Sequence, residues 1–210
     1  MHLLVLLTTS SMTCLALATT EAHPSDSQLI SVASDITPKE KKHLKFAGIP
    51  IDGSLKDFGA QMTEKKFVLL YEDDDLLIFD GKKAGMKGCL VYAYAHPTSR
   101  QTYMVGINIG AEDKWDKLKY NYLRLKAKMT DMFGEPILCT EVFHTTESPR
   151  GQQEAMECVR QGKAEFVSGF KTSTGLISVQ IVHSPKVNPE TASVVLFYTD
   201  LINCIDQVAE

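Results

Sequence analysis

The sequence predicts an α+β fold: an antiparallel sheet of about eight strands built from two helix-plus-four-strand repeats, with the helices packed on one face. Three observations lead to this prediction. Short runs rich in β-branched and aromatic residues are separated by turn-forming residues, as in antiparallel strands. Two amphipathic helical segments each precede about four such runs. The same order of elements recurs after about 70 residues, which indicates an internal structural duplication.

The first repeat is predicted to cover residues 45–110. Its glycines are not spaced as G-x-G-x-x-G, so the stretch KFAGIPIDGS is interpreted as the entrance to a helix and not as a phosphate-binding loop. Ser54, followed three residues later by Asp57, is predicted to cap that helix. The apolar residues on one face of the helix are Leu55, Phe58 and Met62. The predicted strands are FVLLY, LLIFD, GCLVYAYA and TYMVGINI, with an acidic hairpin turn after the first.

The second repeat is predicted to cover residues 111–210. Asp113 is predicted to cap its helix, and Gly134, followed by Pro136, to end it. The stripe facing the core comprises Trp115, Leu118, Tyr122, Leu125, Met129 and Met132, and Tyr120 falls outside it. The predicted strands are PILCTEVF, KAEFVSGF, LISVQIVH and SVVLFYTDL, with a short helix around Gln152 to Arg160 between the first two.

The amino-terminal residues have the features of an export signal. An apolar run without charged residues leads to Ala16-Leu17-Ala18, the small-residue pattern of signal-peptide cleavage, so residues 1–18 are predicted to be a signal peptide. Cleavage after Ala22 is the alternative. The residues before Cys14 make a poor lipidation box, which argues against lipid anchoring there. Residues 19–44 are polar and are predicted to form a flexible leader, and the protein is expected in the periplasm or at the cell surface.

Four cysteines remain after the signal peptide, and none has C-x-x-C spacing. In an oxidising compartment they could form up to two disulfides, with three possible pairings, or remain buried thiols. The four are Cys89, Cys139, Cys158 and Cys204.

Composition and motifs favour binding over catalysis. The net charge of −4 argues against a general nucleic-acid-binding protein. The sequence lacks the G-x-S-x-G and H-E-x-x-H motifs, and no cofactor is predicted. Glu141 and His144, three apart on a strand, should point to opposite faces and converge poorly on a metal ion. His96, His144 and His183 fall near strand ends, where loops could gather them into a hydrolytic site.

Five segments in order resemble a family of small exported, uncharacterised proteins from gut Bacteroidales. They are FAGIPIDGSLKDF, FDGKKAGMKGCLVYAY, WDKLKYNYLRLKAKMTDMFGEPILCTEVF, GFKTSTGLISVQI and VVLFYTDLIN. The resemblance spans about Phe46 to Asn203 and implies export, but no catalytic residue. The duplicated architecture is also similar to that of β-lactamase inhibitory protein, an analogy of fold that does not transfer function.

The sequence therefore predicts a non-catalytic exported protein that binds through an open sheet face. The expected partner is another envelope protein or a glycan or cell-wall component, and no transmembrane segment is predicted after the signal peptide. Strand tyrosines are the candidate contact residues: Tyr92, Tyr94, Tyr103 and Tyr198. Tyr92 and Tyr94 should share a face because side chains alternate along a strand. The alternative is an envelope hydrolase of unfamiliar type.

The signal-peptide prediction is tested by the amino terminus of the exported protein. We expect mass spectrometry of the secreted chain to give Thr19 as the first residue, because signal peptidase requires small residues at the cleavage site. Ala18→Arg should leave the precursor uncut. A mature chain that still begins at Met1 would contradict the prediction, and one that begins at His23 would indicate the alternative site.

Overall fold

The computed structural model describes residues 42–185 and 188–205. The predicted signal peptide, Cys14 and the predicted leader up to residue 41 lie outside the described residues. Within them, the protein has the predicted α+β fold with an antiparallel sheet.

Ten strands are present, numbered along the described chain. A small hairpin is formed by β1 (Lys45–Phe46) and β2 (Ile49–Pro50). The large sheet contains β3 (Val68–Glu72), β4 (Leu76–Asp80), β5 (Leu90–Ala95), β6 (Thr102–Glu112), β7 (Leu138–Phe143), β8 (Ala164–Lys171), β9 (Gly175–His183) and β10 (Ala192–Asp200). β6 continues two residues past the expected repeat junction at position 110.

Within the described ranges, four α-helices accompany the strands. They are α1 (Leu55–Glu64), α2 (Trp115–Phe133), α3 (Gln152–Arg160) and α4 (Leu201–Ile205). A single 3₁₀ turn, Lys82–Ala84, lies between β4 and β5. The bounds of α3 coincide with the predicted short helix.

The order of the eight strands is β3-β4-β5-β6-β10-β9-β8-β7, and every neighbouring pair is antiparallel. Each group of four therefore forms a meander, and the last strand of one group pairs with the last strand of the other. The seam between β6 and β10 joins the two halves into one sheet.

The ends of the two long helices are set by different local interactions. Ser54 caps α1 as predicted, because its side chain accepts a hydrogen bond of 3.1 Å from the amide of Asp57. The predicted cap of α2 is wrong: Lys114, in an extended conformation, precedes the helix and makes no side-chain cap bond, so Asp113 lies one residue outside. Gly134 ends α2 as predicted, with the positive φ of 85° that glycine tolerates.

The core lies between the helices and one face of the sheet. The predicted stripe of α2 is buried at Trp115, Leu118, Tyr122 and Met129. Met132, the last member of the stripe, is instead exposed because it lies in the final turn. The residues of α1 and α2 belong to one continuous cluster with the sheet residues that face them, such as Phe79 and Phe166.

The end of the predicted leader is part of the fold. Leu44 is buried, and its backbone amide donates a 2.7 Å hydrogen bond to the carboxylate of Asp200 at the end of β10. The side-chain amide of Asn203 donates to the carbonyl oxygens of Ile51 (3.1 Å) and Thr102 (3.0 Å). The interpretation of residues 42–44 as flexible leader is therefore wrong: they are fixed where the hairpin meets the sheet.

Removing the Asn203 amide should destabilise the protein. We expect Asn203→Ala to lower the free energy of unfolding by about 1–3 kcal/mol, because buried carbonyl oxygens lose their donor. Urea denaturation followed by circular dichroism measures the change.

Thr102→Val is the matched variant at the same junction. The hydroxyl of Thr102 is buried and has no hydrogen-bond partner within the described part of the chain. Replacing it with a methyl group should leave the free energy of unfolding unchanged or raise it by about 1 kcal/mol. If both variants lose stability equally, the loss does not arise from the hydrogen bonds of Asn203.

Candidate binding face

The two faces of the sheet have different surroundings. On β5, Val91 and Ala93 point toward the helices and are buried in the main core. Tyr92 and Tyr94 alternate with them and lie on the opposite face, as predicted from strand periodicity. The tyrosines therefore lie on the side of the sheet away from the α1 and α2 core.

A second, smaller apolar cluster lies on this opposite face, and among the described residues its members all come from strands. Its buried members are Met104, Val195 and Phe197, and Tyr94, Tyr103 and Val182 pack against them. The register supports a common face, since Tyr94 pairs with Met104 and Phe197 pairs with Gly106. We call the surface made by Tyr92, Tyr94, Tyr103, Met104, Val195 and Phe197 the tyrosine face.

The aromatic rings of the tyrosine face contact one another. Tyr92 and Tyr94 are stacked with ring centroids 6.4 Å apart and an angle of 26° between planes. The ring of Tyr103 meets His96 edge to face at 5.5 Å. These contacts make a continuous aromatic surface along β5 and the start of β6.

A glycine in the middle of β6 makes room for the ring of Phe197. A Cβ added at Gly106 would lie 2.9 Å from the ring of Phe197 and 3.4 Å from Val195. A larger residue at position 106 would force these side chains to move. Glycine within a strand is a sequence signal of such close approach, and this signal could have identified Phe197 as part of the face.

The face is poor in charge, and the pKa values of two of its phenols, Tyr92 and Tyr94, are raised. Burial raises the pKa of Tyr94 far above its usual value, and the neighbouring Tyr92 and Tyr103 add to the rise. Burial also raises the pKa of Tyr92, although a hydrogen bond with Asn108 partly offsets this rise. Farther along the face, the buried side-chain amide of Gln180 donates to Ser178 at 2.9 Å. The centre of the face thus offers apolar carbon, hydroxyl and amide groups.

Tyr198 does not join the other three predicted tyrosines. It pairs with Val105, whose side chain is in the main core, and its ring packs edge to face on Phe46 at 5.6 Å. It is one residue out of phase with Phe197 on the same strand, so it points to the helix-covered face. Its assignment to the partner-binding face is wrong.

The three predicted histidines occupy separate surroundings. Nδ1 of His96 accepts long hydrogen bonds from the amides of Thr98 and Ser99. His144 lies 3.1 Å from the carboxylate of Glu165, and His183 contacts the carbonyl oxygen of Thr191.

The register of the sheet keeps two of these histidines far apart. His96 follows the end of β5, which is at the same end of the sheet as the carboxyl end of β10, with β6 between the two strands. His183 pairs with Ala192 at the opposite end of β10. The eight residues between these positions correspond to about 26 Å. Within the described ranges, no three His, Cys, Asp or Glu residues are placed to hold a metal ion.

Three of the four candidate disulfide cysteines are free thiols: Cys89, Cys139 and Cys158. Cys139 is exposed, and the other two are partly buried. The side chain of Cys204 lies outside the described part of the structure.

A shallow cavity of about 630 Å³ lies away from the tyrosine face, at the amino end of α3. Arg150 on its rim pairs with Glu147, and Arg160 pairs with Glu157 and Glu190. Both arginines of the cavity are thus already paired with carboxylates.

Comparison with known proteins identifies no relative: no family model, no curated protein and no solved structure matches the chain. The resemblance to exported Bacteroidales proteins and the analogy with β-lactamase inhibitory protein therefore stay predictions. Among the described residues, no helix is long and apolar enough to cross a membrane.

The raised pKa of Tyr94 predicts a loss of stability in alkali. Below pH about 10 the phenol is neutral in both the folded and the unfolded chain. Above that pH the unfolded chain ionises first, so the free energy of unfolding falls as pH rises. We expect Tyr94→Phe to make this fall shallower in denaturation curves recorded between pH about 9 and 11.

The matched control is Tyr120→Phe, because the side chain of Tyr120 is 65% exposed on α2. If the free energy of unfolding falls equally steeply with pH in the two variants, the burial of the Tyr94 phenol is contradicted.

Proposed function

We propose that this chain is a non-catalytic exported protein, of the periplasm or cell surface, that binds an apolar segment of another envelope protein through its tyrosine face. The observation that carries the proposal is the aromatic cluster on the face of the sheet opposite the α1 and α2 core, where the packing partners within residues 42–185 and 188–205 are strand residues. Tyrosine and methionine are enriched at the centres of protein interfaces, and charged residues are depleted there.

The accessible part of the face extends toward the edge of the first repeat. Leu90 is 36% exposed and lies two residues before Tyr92, on the same face of β5. Ile78, which pairs with Tyr92 on β4, is partly exposed as well. A partner segment lying across β4 and β5 would cover these aliphatic side chains and the edges of the tyrosine rings, and it would need no charged group.

The composition of the face favours a protein segment over a glycan. A sugar ring stacks on tyrosine but also brings many hydroxyl groups that need hydrogen-bond partners. The residues packed beside Tyr94 and Tyr103 on this face are instead apolar: Met104, Val195 and Phe197. Apolar side chains of a partner match such a surface better, because their burial needs no hydrogen bonds.

The hydrolase alternative rested on a site in which the three strand-end histidines meet. Each of the three has its own contacts in the structure, and His96 and His183 lie near opposite ends of β10. No observation favours the alternative over the binding proposal.

Site-specific photo-crosslinking tests the proposal. A benzophenone amino acid is placed at position 92, within the tyrosine face, or at position 120, on the exposed surface of α2. After illumination in envelope extract, we expect one protein adduct from position 92 and none from position 120. Tyr94→Ser should reduce the adduct at position 92 because it removes the stacked neighbour.

Two results would overturn the proposal. Adducts of equal yield from both positions would mean that the contact is not specific to the tyrosine face. Retention of glycan or cell-wall fragments without a protein adduct, lost on Tyr92→Ser, would replace the protein partner by a carbohydrate.

A further inference from the structure

A cluster of reactive side chains lies on the helix-covered face of the sheet, where side chains of α2 meet the edge strand β7. Cys139 and Glu141 alternate along β7 and point toward α2. Lys126, on α2, places its ammonium group over both of them. Tyr122, one turn earlier on α2, and Ser168, on the neighbouring strand, close the inner side of the cluster.

The contacts in this cluster are short. Nζ of Lys126 lies 3.1 Å from Sγ of Cys139 and contacts the carboxylate of Glu141. Sγ of Cys139 lies 3.8 Å from both the Glu141 carboxylate and the hydroxyl of Ser168. The Ser168 hydroxyl is in turn 2.7 Å from the hydroxyl of Tyr122. The thiol is therefore held beside an amine and a proton acceptor.

Cys139 differs from the other two described thiols. It is exposed, and its sulfur lies 3.1 Å from the ammonium nitrogen of Lys126. Cys89 is partly buried, its thiol donates a 3.8 Å hydrogen bond to the carbonyl oxygen of Lys87, and burial raises its pKa. Oxidation of a thiol requires access of the oxidant to the sulfur, so the exposed Cys139 should react first.

We propose that Cys139 and Lys126 form a peroxide-dependent covalent switch, in which the oxidised thiol is trapped by the lysine amine as a sulfenamide crosslink. The proposal concerns the helix-covered side of the sheet and does not depend on the binding function of the tyrosine face.

Two steps account for all atoms and electrons. In the first, the thiolate sulfur attacks an oxygen of hydrogen peroxide, the O–O bond breaks, and hydroxide leaves and is protonated to water. Sulfur is oxidised by two electrons to the sulfenic acid, and the peroxide is reduced. Sulfenic acids are known to condense with a thiol or with a nitrogen.

In the second step, the nitrogen of Lys126 attacks the sulfur of the sulfenic acid, the S–N bond forms and the S–O bond breaks. The ammonium group loses two protons: one leaves with the hydroxyl group as water, and the other passes through the carboxylate of Glu141 to solvent. In the sum of the two steps, the thiol, the ammonium group and hydrogen peroxide give the sulfenamide, two molecules of water and one proton. The crosslink would join α2 covalently to the edge of the sheet.

Peptide mapping of the peroxide-treated protein tests the proposal. Tryptic cleavage after Lys128 separates Lys126 from Cys139 unless the two are joined. We expect a crosslinked pair of peptides with the summed mass of the two minus two hydrogen atoms, which dithiothreitol separates. The crosslink should be absent in untreated protein and in Cys139→Ser.

Lys126→Arg is the matched control, since arginine keeps the positive charge beside the thiol but cannot be deprotonated. We expect Cys139 of this variant to be oxidised to the sulfinic acid without a crosslink. The proposal is overturned if the unaltered protein gives only sulfinic or sulfonic acid at Cys139. It is also overturned if Cys89 and Cys158 react with peroxide as fast as Cys139.

Discussion

The carboxylate of Asp200, which has no exposed side-chain surface, fixes the point where the amino-terminal hairpin meets the sheet. It accepts hydrogen bonds from the amides of Leu44 at 2.7 Å and Asn203 at 3.0 Å, and it lies 3.3 Å from the ring of His43. Burial raises the pKa of Asp200, while the two amides and His43 oppose the rise. A buried carboxylate is tolerated only with such partners, so displacing the hairpin would remove two of the three, Leu44 and His43, and destabilise the charge. The side chain of Asn203 extends this junction to the start of β6.

From this junction the two halves of the sheet extend in opposite directions across the seam of β6 and β10. The long helix α2 lies over the seam and the second half, where Trp115 packs on Phe143 and Phe166, while α1 covers the first half. Because both helices lie on the same side, the side chains described on the opposite face pack against one another, with Phe197 filling the space above Gly106. The one-sided arrangement thus creates a separate aromatic surface.

The local elements could be predicted from the sequence because their signals are local. The Ser54 cap, the end of α2 at Gly134 and the shared face of Tyr92 and Tyr94 depend on residues a few positions apart. The face of Tyr198 could not be predicted, because a strand that is interrupted by a β-bulge and carries apolar residues on both faces gives no reliable phase. The predicted cap of α2 is one residue too early, because the helix is preceded by Lys114, which makes no side-chain cap bond. The Asp200 junction joins residues more than 150 positions apart, and no local pattern encodes such a contact.

The tyrosine face and the cluster of Cys139, Lys126 and Glu141 lie on opposite faces of the sheet. The nucleophilic and ionisable groups that contact one another, Cys139, Lys126 and Glu141, lie on the helix-covered face at the edge strand. The tyrosine face has apolar and hydroxyl groups, and burial raises the pKa of Tyr94 there, which keeps its phenol neutral. The residues that make up the tyrosine face carry no charged side chain, which suits the proposed apolar partner because its burial needs no hydrogen bonds. The sheet lies between this face and the cluster of Cys139, so an effect of oxidation at Cys139 on the tyrosine face would have to pass through the strands between them.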